Sequence, residues 1–337
     1  MKVKNIQRVV GPMPIGDPFI LGAYHYDKYP QGNGKFGPKA SLEGKNLGND
    51  FDRNAEWRMY HGKEIPGFPF HPHRGFEIIT IADEGYADHF DSKGSKGRYG
   101  EGDVQLMSAG SGVLHGEMFP LIHEDKENPL RLFQIWLNLP SSSKMTEPQY
   151  KMLWHENIPV AKIGDDVKIK VILGEYNGVK SIDALPYSWA KDPNHHVGVA
   201  LIDLAPNATY TLNAVSSSMN RFLFFYDGKG VVNIDEYSMQ QNFIADLNGG
   251  EEITIKNNSE RSKLLILEGE PINEPVAAYG PFVMNTKEEL DQAFADYRKT
   301  QFGGWPWGHE EIDVVHPKDV GRFASYNFGK EIDKPTS

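Results

Sequence analysis

Short runs of alternating or wholly apolar residues recur from one end of this sequence to the other, and turn-forming residues bracket almost every one. The 34 glycines and 22 prolines are spread along all 337 residues, which leaves few stretches long enough for a helix, whose interior both residue types disrupt. Leu132 to Leu139 shows the pattern. In an extended chain Leu132, Gln134, Trp136 and Asn138 fall on one face and Phe133, Ile135, Leu137 and Leu139 on the other. Phe76 to Glu84 and Tyr86 to Phe90, followed by the turn Asp91 to Gly97, read as consecutive antiparallel strands. In the second half, strands are expected at Val167 to Leu173, Val197 to Leu204, Ala208 to Leu212, Arg221 to Tyr226, Glu252 to Ile255 and Lys263 to Leu267. The expectation is an all-β chain in which one strand set is written twice. A faint echo supports it: Phe76, Gly85-Tyr86 and Gly102-Asp103 against Phe222, Gly228-Lys229-Gly230 and Gly250-Glu251. The divide is expected between Pro140 and Pro148.

The halves differ in chemistry. His71-Pro72-His73 precedes the strand-like run Phe76 to Asp83, and His115-Gly116-Glu117 follows the run Asp103 to Met107, so both motifs are expected on one sheet. Residues two apart on a strand point the same way, so a His-x-His pair and a His-x-Glu pair can meet at a single ion without bending the backbone. Three nitrogens and one oxygen suit Fe, Mn, Ni, Cu or Zn. A thiolate site is excluded because the chain has no cysteine. At the echoing positions the second half has Ser217 to Asn220 and nothing after Gly250 that replaces His115, so no metal is expected there. One His-x-His pair alone is more often structural than a ligand pair; the second motif changes that balance. His61, His89, His123 and His155 are expected on the surface or in satisfied structural roles, and Phe133 and Trp136 in the core.

Charge removes other classes of function. With 46 acidic against 35 basic residues the net charge is −11, and no Lys/Arg cluster marks a helix or ribbon, which argues against phosphate-mediated nucleic-acid binding. No signal-peptide-like apolar stretch opens the chain and no run approaches 18 apolar residues. A soluble, cytoplasmic protein is expected. The absence of cysteine rules out disulfides and cysteine catalysis and is compatible with a reducing compartment.

One helix is expected, from Thr286 to Thr300. Thr286 and Glu289 have capping-box spacing, and Leu290, Phe294 and Tyr297 form an apolar stripe that needs a partner surface. The tail beyond it, beginning Gly303-Gly304-Trp305-Pro306-Trp307, has aromatic residues without a period. It is expected to drape over a surface, with the tryptophans as packing anchors.

The segments His71 to Glu77, Gly102 to Met118, Ile135 to Tyr150 and Gly269 to Leu290 together resemble the pirin family of cupins, in consistent order over roughly residues 15 to 300. The resemblance implies two stacked cupin barrels: a metal-binding N-terminal domain (1–145), a C-terminal cupin domain without a metal (146–285), and a helix with an extension (286–337) that packs back on the N-terminal domain. It implies His71, His73, His115 and Glu117 as metal ligands. Cupins at large often use instead a Glu four residues after the second His, here Glu77; within pirins Glu117 is the expected ligand and Glu77 a buried supporting carboxylate. Two positions depart from the family pattern. Phe70 stands where a polar residue is common and Gly116 where Ser or Ala is usual, implying a more apolar or roomier pocket. Gln31 to Asn49 and the tail after about Gly303 look like additions to the family core.

What the resemblance implies for function is a metal-dependent dioxygenase that opens the ring of quercetin-like flavonols, or a related phenol, with O2. Fe(II) is the first choice of metal, with Mn, Ni, Cu, Zn or Co as alternatives, and Glu117 is the expected catalytic base. The competing expectation is a metal-binding regulatory protein with a protein partner.

Overall fold

In the computed structural model, which describes residues 1–52, 54–258 and 260–336, antiparallel strands dominate. The chain divides into two compact units, one made of Met1–Gly22 with Asn157–Asn273 and the other of Ala23–Glu156 with Glu274–Ser337. This differs from the contiguous spans 1–145, 146–285 and 286–337, because each unit takes one end of the chain from the far side. The reason is apolar pairing. Strand β1 (Val3–Arg8) runs antiparallel to Phe243–Asn248 and puts Val3 into the core of the second barrel.

The first barrel is two facing sheets. Its strands in chain order are β2 (Phe19–Tyr29), β3 (Gly67–His73), β4 (Phe76–Glu84), β5 (Tyr86–Asp91), β6 (Lys96–Gly100), β7 (Asp103–Ser108), β8 (Val113–Met118), β9 (Asn128–Asn138) and β10 (Gln149–Leu153). One sheet has the order β10, β7, β4, β9, β2; the other runs β6, β5, β8, β3 and is extended beyond β6 by two strands from the tail, Phe323–Tyr326 and Glu331–Asp333. β4 and β5, consecutive in the sequence, lie in different sheets. β4 pairs with β7 and β9, whereas β5 pairs with β6 and β8, so the chain changes sheets between them. Gly85 makes that corner at φ 80°, where a Cβ would stand 2.4 Å from the Pro129 carbonyl oxygen.

The second barrel is the apolar version of the same plan. Strands Val167–Leu173, Gly198–Leu204, Thr209–Leu212, Asn220–Asp227, Ile253–Asn257 and Ser262–Gly269 form close to where the alternation places them. Their inward residues, among them Ile202, Leu223, Phe225, Leu264 and Ile266, are fully buried.

Helix α1 (Lys287–Thr300) starts at Thr286, whose hydroxyl accepts from the Glu289 amide while the Glu289 carboxylate accepts from the Thr286 amide. It packs in the same unit as the first barrel, tied to the turn after β3 by a 2.8 Å hydrogen bond from Arg74 to Asp296. The stripe is not buried as evenly as expected. Leu290 and Ala293 are buried, but Phe294 and Tyr297 are only half-buried, because the helix lies on a narrow ledge formed by Phe282 and Phe302. Phe294 still stacks edge-on against Phe282 at 4.8 Å. Phe294→Ala is expected to cost about 2 kcal/mol, less than truncation of a fully buried Phe, and so to lower the melting temperature by several degrees without changing the metal stoichiometry. Scanning calorimetry with metal analysis checks both.

The tail drapes as expected, over the outer face of the sheet β6, β5, β8, β3. Phe90 and Met118 pack there with Val314 and Val315, and the Trp307 indole donates to the Asp91 carbonyl at 2.8 Å. Beneath lies a fully buried pair in which Arg98 Nε and Nη2 reach Asp88 at 2.7 Å. The tail completes its shell: the His316 amide donates to Asp88 at 2.7 Å and Arg98 donates to the carbonyls of His316 and Pro317. Phe70 alternates with His71 and stacks on Trp305 at 4.9 Å. Gly116 pairs with Phe90, whose ring packs against the tail residues Trp307 and His316. Both family departures therefore belong to the tail-docking face rather than to a widened pocket.

Candidate metal centre

The two motifs are themselves the strands β3 and β8, paired antiparallel with His71 opposite His115. The runs Phe76 to Asp83 and Asp103 to Met107 lie in the facing sheet. Alternation turns His71 and His73 inward from β3, and His115 and Glu117 inward from β8. The structure brings three of the four together: ligand nitrogens of His71, His73 and His115 all lie within 4.8 Å of one another. The carboxylate of Glu117 is not in that group. It is held by three donors, Gln134 Nε2 at 2.6 Å and the hydroxyls of Thr80 and Tyr99 at 3.3 Å. Glu77 is also outside the group; it is fully buried on β4 and points to the face opposite Thr80.

The donor set fits a metal ion. His71 Nδ1 lies 2.9 Å from the Pro69 carbonyl and His73 Nδ1 3.2 Å from the Pro281 carbonyl; each carbonyl holds the ring proton on Nδ1 and leaves Nε2 bare. Nε2 of His71 and of His115 stand 3.0 Å apart. Two nitrogens each about 2.1 Å from one ion and roughly 90° apart would be separated by about that distance. All three rings are neutral near pH 7. Burial lowers His71 to about 4, and burial together with the neighbouring imidazoles takes His73 and His115 well below the ordinary value. Burial raises Glu117, opposed by the charge of His89 and by its three hydrogen bonds.

Several residues at the site had no role assigned from sequence. Gln134, Thr80 and Tyr99 orient Glu117, and Pro281 orients His73 from 208 residues away. Gln134 and Trp136 share one face of β9, and that polar-aromatic alternation was their only signal. Phe133 is core, but Trp136 is half-buried, stacked on Phe76 at 4.2 Å and edge-on to His73 at 5.4 Å, so it lines the site. Among the other histidines, His61 is exposed beside Asp50, and His89 is fully buried, bonded to Asp91 at 3.1 Å opposite Glu117. His123 is half-buried. His155 belongs to a second group, with Asp103 and Glu156, in which the Arg322 guanidinium from the tail bonds all three.

Comparison with known proteins agrees with this arrangement. The Pirin family model matches residues 46–137, which span both histidine motifs, and the Pirin C-terminal cupin domain model matches residues 199–303. Pirin-1 of Arabidopsis thaliana is 38% identical over 241 residues, 70% of this chain and 78% of that protein. Human Pirin is 35% identical over 248 residues, 72% of this chain and 80% of its own length. The crystal structure of a quercetin 2,3-dioxygenase from Acinetobacter baumannii superposes with a TM-score of 0.71 at 28% identity, covering 90% of this chain and 98% of that one. With two cupin barrels, a three-histidine cluster in the first, and relatives matched over most of their length, the chain belongs to the pirin family.

Proposed function

We propose that this protein is a dioxygenase of the pirin type that opens the ring of a quercetin-like flavonol with O2, using one divalent transition metal, Fe(II) by preference, held by His71, His73 and His115, with Glu117 beside them as the base. The observation that carries the reading is the convergence of three neutral imidazoles beside an aromatic wall, in a chain whose structural relative is a quercetin 2,3-dioxygenase. When bound, such an ion supplies Lewis acidity toward a phenolic oxygen and redox access to O2. The protein supplies the rest. Trp136, half-buried and backed by the buried Phe76, offers a flat apolar face for a planar ring system. Glu117, whose proton affinity burial has raised, takes the proton of the flavonol hydroxyl, and Gln134, Thr80 and Tyr99 fix the carboxylate for that transfer.

The test uses metal-loaded protein given quercetin anaerobically and then oxygen. Bleaching of the flavonol band is expected. In Glu117→Gln the amide cannot act as base, so the rate should fall at least about 100-fold while part of the metal is retained. Equal rates in the two proteins would remove Glu117 from catalysis. Failure of the metal-loaded wild type to consume any flavonol would leave the metal-binding regulatory reading as the better one.

A further inference from the structure

We infer that the mouth of the second barrel is a binding site for a small, neutral, polyhydroxylated molecule of roughly monosaccharide size. A cavity of about 490 Å³ opens there, walled by segments within Gly174–Ala184, Ala190–Gly198 and Asn213–Met219, with Glu268 at its floor. That volume is in the range of small-molecule sites, about 300–1,000 Å³.

At this end the barrel interior turns from apolar to charged. Along the inward rows, Leu264 and Ile266 lead to Glu268, Phe225 and Leu223 lead to Arg221, and Ile202 and Ala200 lead to Gly198. Register puts Gly198 and Arg221 on either side of Glu268. Arg221 Nε donates to Glu268 at 2.6 Å and Nη2 to the Asn213 carbonyl at 3.1 Å, while Nη1 is buried and has no hydrogen-bond partner among the described residues. Both side chains are more than nine-tenths buried. A buried ion pair of this kind gives little net stability over apolar residues of similar volume, so its place at the floor of a cavity points to recognition. Gly198 keeps the floor open to polar groups. A Cβ there would stand 2.3 Å from the Tyr176 hydroxyl and 2.9 Å from the Glu268 carboxylate.

Charge selects the occupant. Lysines on the rim face acids, Lys180 with Glu175 at 3.7 Å and Lys191 with Asp183 at 3.9 Å, and His196 faces Glu270 at 3.3 Å. Arg221 already matches Glu268, and the remaining rim carboxylate, Asp192, accepts from Asn194, so no cation awaits an anionic ligand. What the floor offers is the Glu268 carboxylate, an acceptor for the hydroxyl groups of such a molecule, with the buried Arg221 guanidinium bonded behind it. Val215 gives apolar surface for the C–H faces of such a molecule, with the buried Met219 closing the wall. Neither side-chain group able to hold a metal among the described residues lies here, so the site is independent of the metal centre.

Met219 is the methionine among the lining residues and serves as the reporter. In full-length, metal-loaded protein carrying 13C-methyl methionine, titration with xylose, glucose and myo-inositol should shift the Met219 methyl saturably, whereas ethylammonium and acetate should not. Ala184→Trp, which fills the cavity from the rim, should abolish the shift. Glu268→Gln, checked for folding by its melting temperature, should weaken it at least tenfold, and flavonol consumption should be unchanged in the rim variant. Saturable shifts only with the charged probes would overturn the neutral-ligand assignment. No saturable shift with any probe, or a shift that survives Ala184→Trp, would overturn the site.

Discussion

His73→Ala leaves the folded protein essentially without transition metal. Wild-type protein should bind about one equivalent, as a single cluster of ligands requires, and the variant should retain less than about a tenth of that after dialysis. The expectation rests on convergence: His71, His73 and His115 supply nitrogens within 4.8 Å of one another, and no other His, Asp or Glu belongs to that group among the described residues. Oxygen-dependent flavonol loss should fall with the metal, by more than the roughly 10- to 100-fold typical of losing a supporting residue. Stability gives a second readout. A ligand at 1,000 times its Kd stabilises by about 4 kcal/mol, so a chelator should lower the melting temperature of the wild type and leave that of His73→Ala unmoved. Equal metal content in the two proteins, by elemental analysis, would end the assignment.

Mild acid should destabilise the protein steeply. Burial lowers His25 and His316 to about 3 and His71 to about 4, and takes His73 and His115 well below 6.5. A histidine depressed in the folded state contributes stability that is fully present above its unfolded value near 6.5 and is lost as pH falls toward its folded value, because the unfolded chain takes up the proton first. Three buried carboxyls act in the opposite sense. Burial raises Asp27 to about 6 and raises Asp88 and Glu117, so these groups return stability as pH falls. The five histidines outnumber the three carboxyls, so unfolding takes up protons as pH falls below about 6.5, each depressed histidine contributing up to about 1.4 kcal/mol per pH unit. Against a total stability of about 5–15 kcal/mol, unfolding should begin within a few units below neutrality. His316→Phe, which keeps a ring to stack on Phe90, should flatten the slope by about 1.4 kcal/mol per unit. A denaturation series from pH 7.5 to 4.5 measures this, and a flat profile would refute it.

The parts legible in the sequence were those governed by short-range periodicity. Alternation located β4, β5, β7 and β9 and six strands of the second barrel, and the period of two that places His71 beside His73 also turns them to one side. The capping box placed the start of α1 because its hydrogen bonds are local. What escaped was set by tertiary pairing. Nothing about Pro281 announces that its carbonyl lies behind His73, and Phe323–Tyr326 has no pattern that foretells addition to β6. Trp136 looked like core because its neighbours Ile135 and Leu137 are core; only the other face of β9 revealed the site.

The exchange of chain ends between the two units has a consequence for how the protein is made. Residues leave the ribosome in order, and domains tend to fold as their sequence becomes available. Here the histidine-bearing barrel receives the carbonyl that orients His73, the carboxylate that engages Arg74 and the strand that covers β6 only from residues beyond Glu274. Until then β6 is an open sheet edge, free to pair with another chain, and the Asp88–Arg98 pair lacks the tail groups that satisfy it. β1, made before its partner, waits for Phe243–Asn248. Metal capture in its final geometry is thereby deferred until the segment carrying Pro281 has been synthesised, and a chain terminated before Phe323–Tyr326 carries its defect as an exposed strand that a chaperone or protease can find.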